Sequence, residues 1–144
     1  MGVAWTTAEA IYRAADIITL HVPLTRRTRG MIGERELAMM KPDAILINTA
    51  RGELVDETAL ACALRSRAAF SAAIDVFAEE PYRGELALLD NCLLSPHMGS
   101  GTRDCRLRME SEAAEEIVRY FKHGPPLRAV PECEYIEGGS DGTS

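Results

Sequence analysis

The sequence predicts an α/β fold built on a parallel sheet. Three observations carry that prediction. Short apolar runs of strand type alternate with helical segments, as repeated βαβ units require. The connections between successive runs are long enough to hold a crossover helix, which parallel neighbours need. The run Ala44-Ile45-Leu46-Ile47 is apolar at consecutive positions, the pattern of a strand buried on both faces.

Taken in order, residues 6–14 form a helix. Thr6 or Thr7 caps it, and Ala8, Ile11, Tyr12 and Ala15 recur at helical spacing. Asp16 breaks into a strand over 17–22, which Pro23 stops. The loop at 25–30 holds Arg26, Arg27 and Arg29. A phosphate contact is one reading of that cluster, and a solvated loop is favoured because charge runs mostly face water. A short helix over 32–40 and a turn at Lys41-Pro42-Asp43 lead into the central strand.

That strand turns polar within three residues and delivers Arg51-Gly52. An amphipathic helix follows over 56–67, with Asp56 of N-cap type and Leu60 and Leu64 four apart. Residues 72–77 make a third strand ending in Ala78-Glu79-Glu80-Pro81. A loop with Tyr82, Arg83 and Gly84 and a short apolar turn precede a fourth strand at 92–95, closed by Pro96-His97-Met98-Gly99. The longest helix spans 102–122. Its apolar stripe is Leu107, Ala113, Ala114, Ile117, Val118 and Phe121, and Gly124-Pro125-Pro126 ends it. From Pro125 the chain reads as irregular, and the Gly/Ser/Asp-rich stretch at 137–144 reads as disordered.

Composition narrows the function. With 144 residues, 47% hydrophobic and 26% charged, the chain suits one globular domain. A net charge of -6 and a pI near 5.1 argue against nucleic acid or an anionic membrane as partner. No apolar run reaches the roughly 18 residues of a membrane span. Met1-Gly2 with Thr6 fits only a loose myristoylation pattern. Cys62, Cys92, Cys105 and Cys133 are scattered, so neither a metal site nor a disulfide framework is expected, and a reducing cytoplasm is the default. Cys62 and Cys92 lie in apolar patterns that place them in the core.

Three strand ends are chemically loaded: Arg51, Asp75 with Glu80, and His97. In parallel sheets ligands bind outside the carboxyl ends of the strands. An arginine there offers a fixed fork of donors to a carboxylate. A histidine beside a carboxylate is a general acid/base, because the anion favours the imidazolium. Asp75 is placed to accept bonds from a ligand amide. Any one of these alone reads as a solvated loop residue; together they suit proton transfer at the hydroxyl or carbonyl carbon of an acid. The tips of Arg51, Glu80 and His97 are expected to converge on one rim. Gly99-Ser100-Gly101-Thr102-Arg103-Asp104 follows a strand and opens a helix, as a dinucleotide fingerprint does. Asp104 stands where the third glycine belongs, so the segment reads as a glycine turn and helix cap.

Four segments, ADIITLHVPLT, MKPDAILINTARGELVDETAL, AAIDVFAEEP and NCLLSPHMGS, stand in the order and spacing of one family. The chain resembles the D-isomer-specific 2-hydroxyacid dehydrogenases over about residues 8–127. EPYRGEL and RMESEAAEEI look most like the 3-phosphoglycerate dehydrogenase type. The resemblance implies the C-terminal half of a Rossmann-type NAD-binding domain over 1–124. Residues 125–144 would return toward a substrate domain.

By position it implies that Arg51 binds the substrate carboxylate and carbonyl oxygen, His97 is the acid/base and Glu80 its partner. Asp75 would hold the nicotinamide carboxamide of NAD, with NADP not excluded. Thr49, Ala50 and Arg51, and His97 through Gly99 and Ser100, would line the nicotinamide side, and His21 and Pro23 would flank the cofactor near the ribose. Two departures stand out. Arg67 and Ser71 occupy positions where the family usually has glycines, and the glycine-rich phosphate-binding half is absent. The implied activity is NAD-dependent oxidation of a 2-hydroxy acid or reduction of a 2-oxo acid by a homo-oligomer, a dimer. This chain alone is expected to be inactive. The alternative is a corepressor-like or oligomerising binding module on the same fold.

Overall fold

The computed structural model describes residues 4–127. The expectations for Gly2, Cys133 and residues 137–144 fall outside them. The chain divides between His97 and Met98 into two compact units.

The first unit is a four-stranded parallel sheet in the order β1-β2-β3-β4: β1 (Ile17–Leu20), β2 (Ile45–Asn48), β3 (Ser71–Ile74) and β4 (Cys92–Leu94). Helix α1 (Ala8–Ala14) precedes β1, and α2 (Glu34–Met39) and α3 (Glu57–Ser66) cross between the next strands. Two 3-10 turns, Gly52–Leu54 and Glu85–Leu88, complete the unit. The α/β parallel architecture matches the sequence reading, with the C-terminal ends of β1, β3 and β4 trimmed by one to three residues and β2 shifted one residue along.

The caps explain where the helices start. Thr7 Oγ1 accepts the Ala10 N–H at 3.3 Å, and Asp56 Oδ1 accepts the Ala59 N–H at 2.9 Å. Each occupies one of the donors that a helix N-terminus leaves unpaired.

One face of the sheet forms the core. Ile18, Leu20, Leu46, Ala72 and Ile74 are buried with Tyr12, Leu37, Leu60, Leu64, Phe70 and Leu86. The opposite face is open: Ile17 is 58%, Ile45 38% and Leu93 72% exposed. The central strand is therefore buried on one face, not on both. The open face also explains the misleading pattern, since consecutive apolar residues record what a strand is built to cover, whether or not the cover is present. Cys62 is corrected as well. Leu60, Ala61 and Leu64 take the core side of α3, which turns Cys62 outward, and its thiol is exposed.

Arg67 accounts for its departure from glycine. It ends α3, and its guanidinium reaches back to donate to the carbonyls of Leu37 at 3.0 Å and Met40 at 3.4 Å, lying 4.3 Å from the Phe70 ring centre. It thereby caps the C-terminus of α2.

The second unit contains α4 (Arg103–His123), capped by Thr102 Oγ1 on the Cys105 N–H at 3.2 Å. No residue of α4 is buried; Leu107, Ile117, Val118 and Phe121 of its predicted stripe are exposed.

Candidate functional site

The site residues of the first unit are set by the register of the sheet. Asn48, Ile74 and Leu94 are lateral partners on β2, β3 and β4. Arg51, Asp75 and His97 therefore leave neighbouring strands within three residues of one line, all at carboxyl ends.

The Arg51 loop is shaped by Asn48, which the sequence reading did not single out. Asn48 is fully buried at the end of β2. Its Nδ2 donates to the Arg51 carbonyl at 2.8 Å and its Oδ1 accepts the Ala50 N–H at 3.1 Å. A buried amide so satisfied holds the loop at little cost, whereas an unpaired one would be expensive. Thr49 is exposed and Ala50 half-buried. The exposed Arg51 guanidinium donates to the Ala50 carbonyl at 2.7 Å and forms no ion pair among the described residues. Gly52 is buried where only glycine fits: a Cβ would stand 2.0 Å from the Phe77 carbonyl carbon and 2.3 Å from the Ala78 nitrogen. This contact presses the Arg51 loop onto the loop that carries Glu80.

Glu80 and His97 meet. The His97 Nδ1 lies 2.9 and 3.0 Å from the two Glu80 oxygens, a charge-assisted contact when the ring is protonated. Glu80 Oε1 also accepts the Phe77 N–H at 3.1 Å. The bond to His97, and after it the bond from Phe77, holds the Glu80 carboxyl below the usual carboxylate range. His97 has φ 51°, left-handed and uncommon for a residue with a side chain. Strain of this kind clusters at functional sites.

Asp75 is buried one residue past β3, and the Ser95 hydroxyl donates to its Oδ1 at 2.6 Å. The carboxylate thus presents an ordered acceptor beside a hydroxyl. His21 is exposed, its Nε2 2.9 Å from Thr19 Oγ1; exposed Pro23 accepts the Thr28 hydroxyl at 2.7 Å. Gly99 and Ser100 belong to the second unit, in a turn closed by the Gly101 N–H on the Met98 carbonyl at 2.8 Å, so that stretch is a turn ahead of a helix cap. The structure therefore pairs Glu80 with His97, and connects Arg51 to them through Gly52 rather than by a side-chain bond.

The family profile of the D-isomer specific 2-hydroxyacid dehydrogenase NAD binding domain matches residues 1–99. The chain belongs to the D-isomer specific 2-hydroxyacid dehydrogenase family. Within that family it is 46% identical over 131 residues to a glyoxylate reductase of Thermococcus litoralis, covering 90% of this chain and 40% of that one. It is 39% identical over 122 residues to the D-3-phosphoglycerate dehydrogenase of Escherichia coli K12, covering 81% and 30%. The crystal structure of a glyoxylate reductase from Paecilomyes thermophila superimposes with a TM-score of 0.80 at 36% identity, covering 88% and 39%. The chain thus spans about two fifths or less of these 2-hydroxyacid dehydrogenase relatives. Among the described residues, no helix is long and apolar enough to cross a membrane.

Proposed function

We propose that this chain carries the proton-transfer half of an NAD-dependent oxidoreductase that interconverts a 2-hydroxy acid and a 2-oxo acid. The observation that carries the reading is the His97–Glu80 pair at the carboxyl edge of the sheet, in a member of this family. His97 would take the hydroxyl proton in oxidation and return it to the carbonyl oxygen in reduction. Glu80 would hold the ring in place through Nδ1. Arg51, which has no carboxylate partner among the described residues, would hold the substrate carboxylate with its fork of donors.

The rim fits the nicotinamide end of NAD or NADP, because a carboxamide needs an acceptor, and Asp75 beside Ser95 offers one with a hydroxyl next to it. The bound cofactor would supply a hydride acceptor or donor at the substrate C2. Thr49 and Ala50 would border it, with His21 and Pro23 farther along. The described residues offer no glycine cradle for the pyrophosphate, so the chain by itself should turn over little or no NADH with glyoxylate or hydroxypyruvate. The test supplies a polypeptide bearing the family's glycine-rich half in trans. NADH oxidation should then appear, and H97Q and R51Q should each lower it at least ~10²-fold, as loss of acid–base catalysis or of substrate positioning does. Recovered turnover indifferent to both variants would refute the assignment.

A second reading has its own observation. The open sheet face of the first unit and the apolar stripe of α4 are surfaces that soluble monomers rarely leave uncovered. They support self-association, a dimer. Size-exclusion chromatography with light scattering should give an apparent mass that rises with concentration, and a constant monomer mass would count against it.

A further inference from the structure

We propose that Glu57 is a positioning residue that fixes the Glu80 carboxyl against His97. The inference rests on the roles assigned above to Glu80 and His97, and it concerns a side chain outside that set.

Glu57 opens α3, one residue past the Asp56 cap. Its Oε1 does not cap its own helix: it accepts the N–H of Ala78 at 2.8 Å. The preceding N–H, that of Phe77, is accepted by Glu80 Oε1 at 3.1 Å. Two adjacent backbone donors are thus taken by two carboxylates, one arriving from a helix and one from the loop itself. Gly52 closes on the peptide bond between these donors, its α-carbon so near that a Cβ would meet Phe77 and Ala78 backbone at 2.0 to 2.4 Å. Tyr82 packs on the Phe77 ring with centroids 4.3 Å apart, and its hydroxyl accepts the Leu86 N–H at 3.2 Å.

The segment from Ala78 to Gly84 has no helix or strand of its own. A loop without ladder bonds takes its position from such point contacts. Glu80 can stay within hydrogen-bond reach of His97 only while the Phe77–Ala78 peptide holds still. Glu57 clamps the N–H of that peptide, and Glu80 takes the N–H of the peptide just before it. The same turn of chain, from Arg51 to Glu57, therefore presents the carboxylate-binding arginine and steadies the acid that serves the imidazole. A displacement of one ångström at such a site is enough to cost ~10²-fold in rate.

The test follows the Glu80 carboxyl by 13C NMR titration in the chain as it stands, with no substrate or cofactor, alongside thermal melts. The charged groups facing Glu80 are His97 and, from the end of β3, Asp75. E57A removes the acceptor and should move the Glu80 midpoint upward, toward the ordinary carboxylate range, as the bond to His97 loosens. E57Q keeps an oxygen for Ala78 and should leave the midpoint where it is in the parent. Should E57A fail to fold, E57D keeps the charge but is one methylene short, and should shift Glu80 as E57A would. An unmoved Glu80 midpoint in E57A or E57D would overturn the proposal, as would equal shifts in E57A and E57Q, which would assign the effect to charge. Because the readout needs no turnover, this result and the fate of the catalytic reading are independent.

Discussion

At the scale of single residues, the Glu80–His97 contact makes a prediction about acid. The native Glu80 carboxyl titrates below its unfolded value, which is about 4.3. The folded state therefore binds that proton less readily than the unfolded one. The stabilisation is present above the unfolded value and lost as pH falls through the native one. Urea denaturation should find E80Q less stable than the parent at pH 7, with the difference shrinking by pH 3. A second prediction concerns thiols. Burial pushes the Cys92 thiol up to about 11, whereas Cys62 is exposed. At pH 8 a maleimide should label Cys62 readily and Cys92 only slowly in the native chain, because the thiolate is the nucleophile. Labelling followed by peptide mass spectrometry checks this. The Glu80–His97 contact was legible in the sequence because each is a titratable side chain in the loop after an apolar strand run. Asn48 and Glu57 were not, because their partners are backbone atoms of Ala50, Arg51 and Ala78, and a backbone partner leaves no mark on residue identity. Cys62 was misplaced because its neighbours Ala61 and Ala63 are small, so the apolar run does not reveal which side of the helix it occupies.

At the scale of elements, strands and helices were legible almost throughout. Thr7, Asp56 and Thr102 all proved to be caps, because an oxygen-bearing side chain ahead of an apolar period has few other uses. The turn at Gly52–Leu54 was missed, since three residues carry no periodicity. The role of Arg67 was missed as well, since its bonds run to carbonyls some thirty residues earlier. R67A leaves the Leu37 and Met40 carbonyls to water and removes the contact with Phe70. A loss of about 1–2 kcal/mol by urea denaturation is expected for a half-buried charged donor of this kind. An unchanged midpoint would mean that solvent replaces those bonds without penalty.

At the scale of the molecule, the parallel sheet was predictable from the alternation of elements, and its strand order and open face were not. Apolar strands announce a buried sheet, but they do not say which chain segment buries the second face. The sheet is also unequal along its width. Strands β2 and β3 are hydrogen-bonded on both sides, whereas β4 is three residues long and leans on β3 alone. Native-state hydrogen exchange should find β2 and β3 amides protected to near the global limit and β4 amides released earlier. Arg51 and Asp75 extend from the two strands paired on both sides, and His97 extends from an edge strand. Early release of that margin would carry the imidazole of His97 away from the Glu80 carboxylate while the Arg51 guanidinium kept its place.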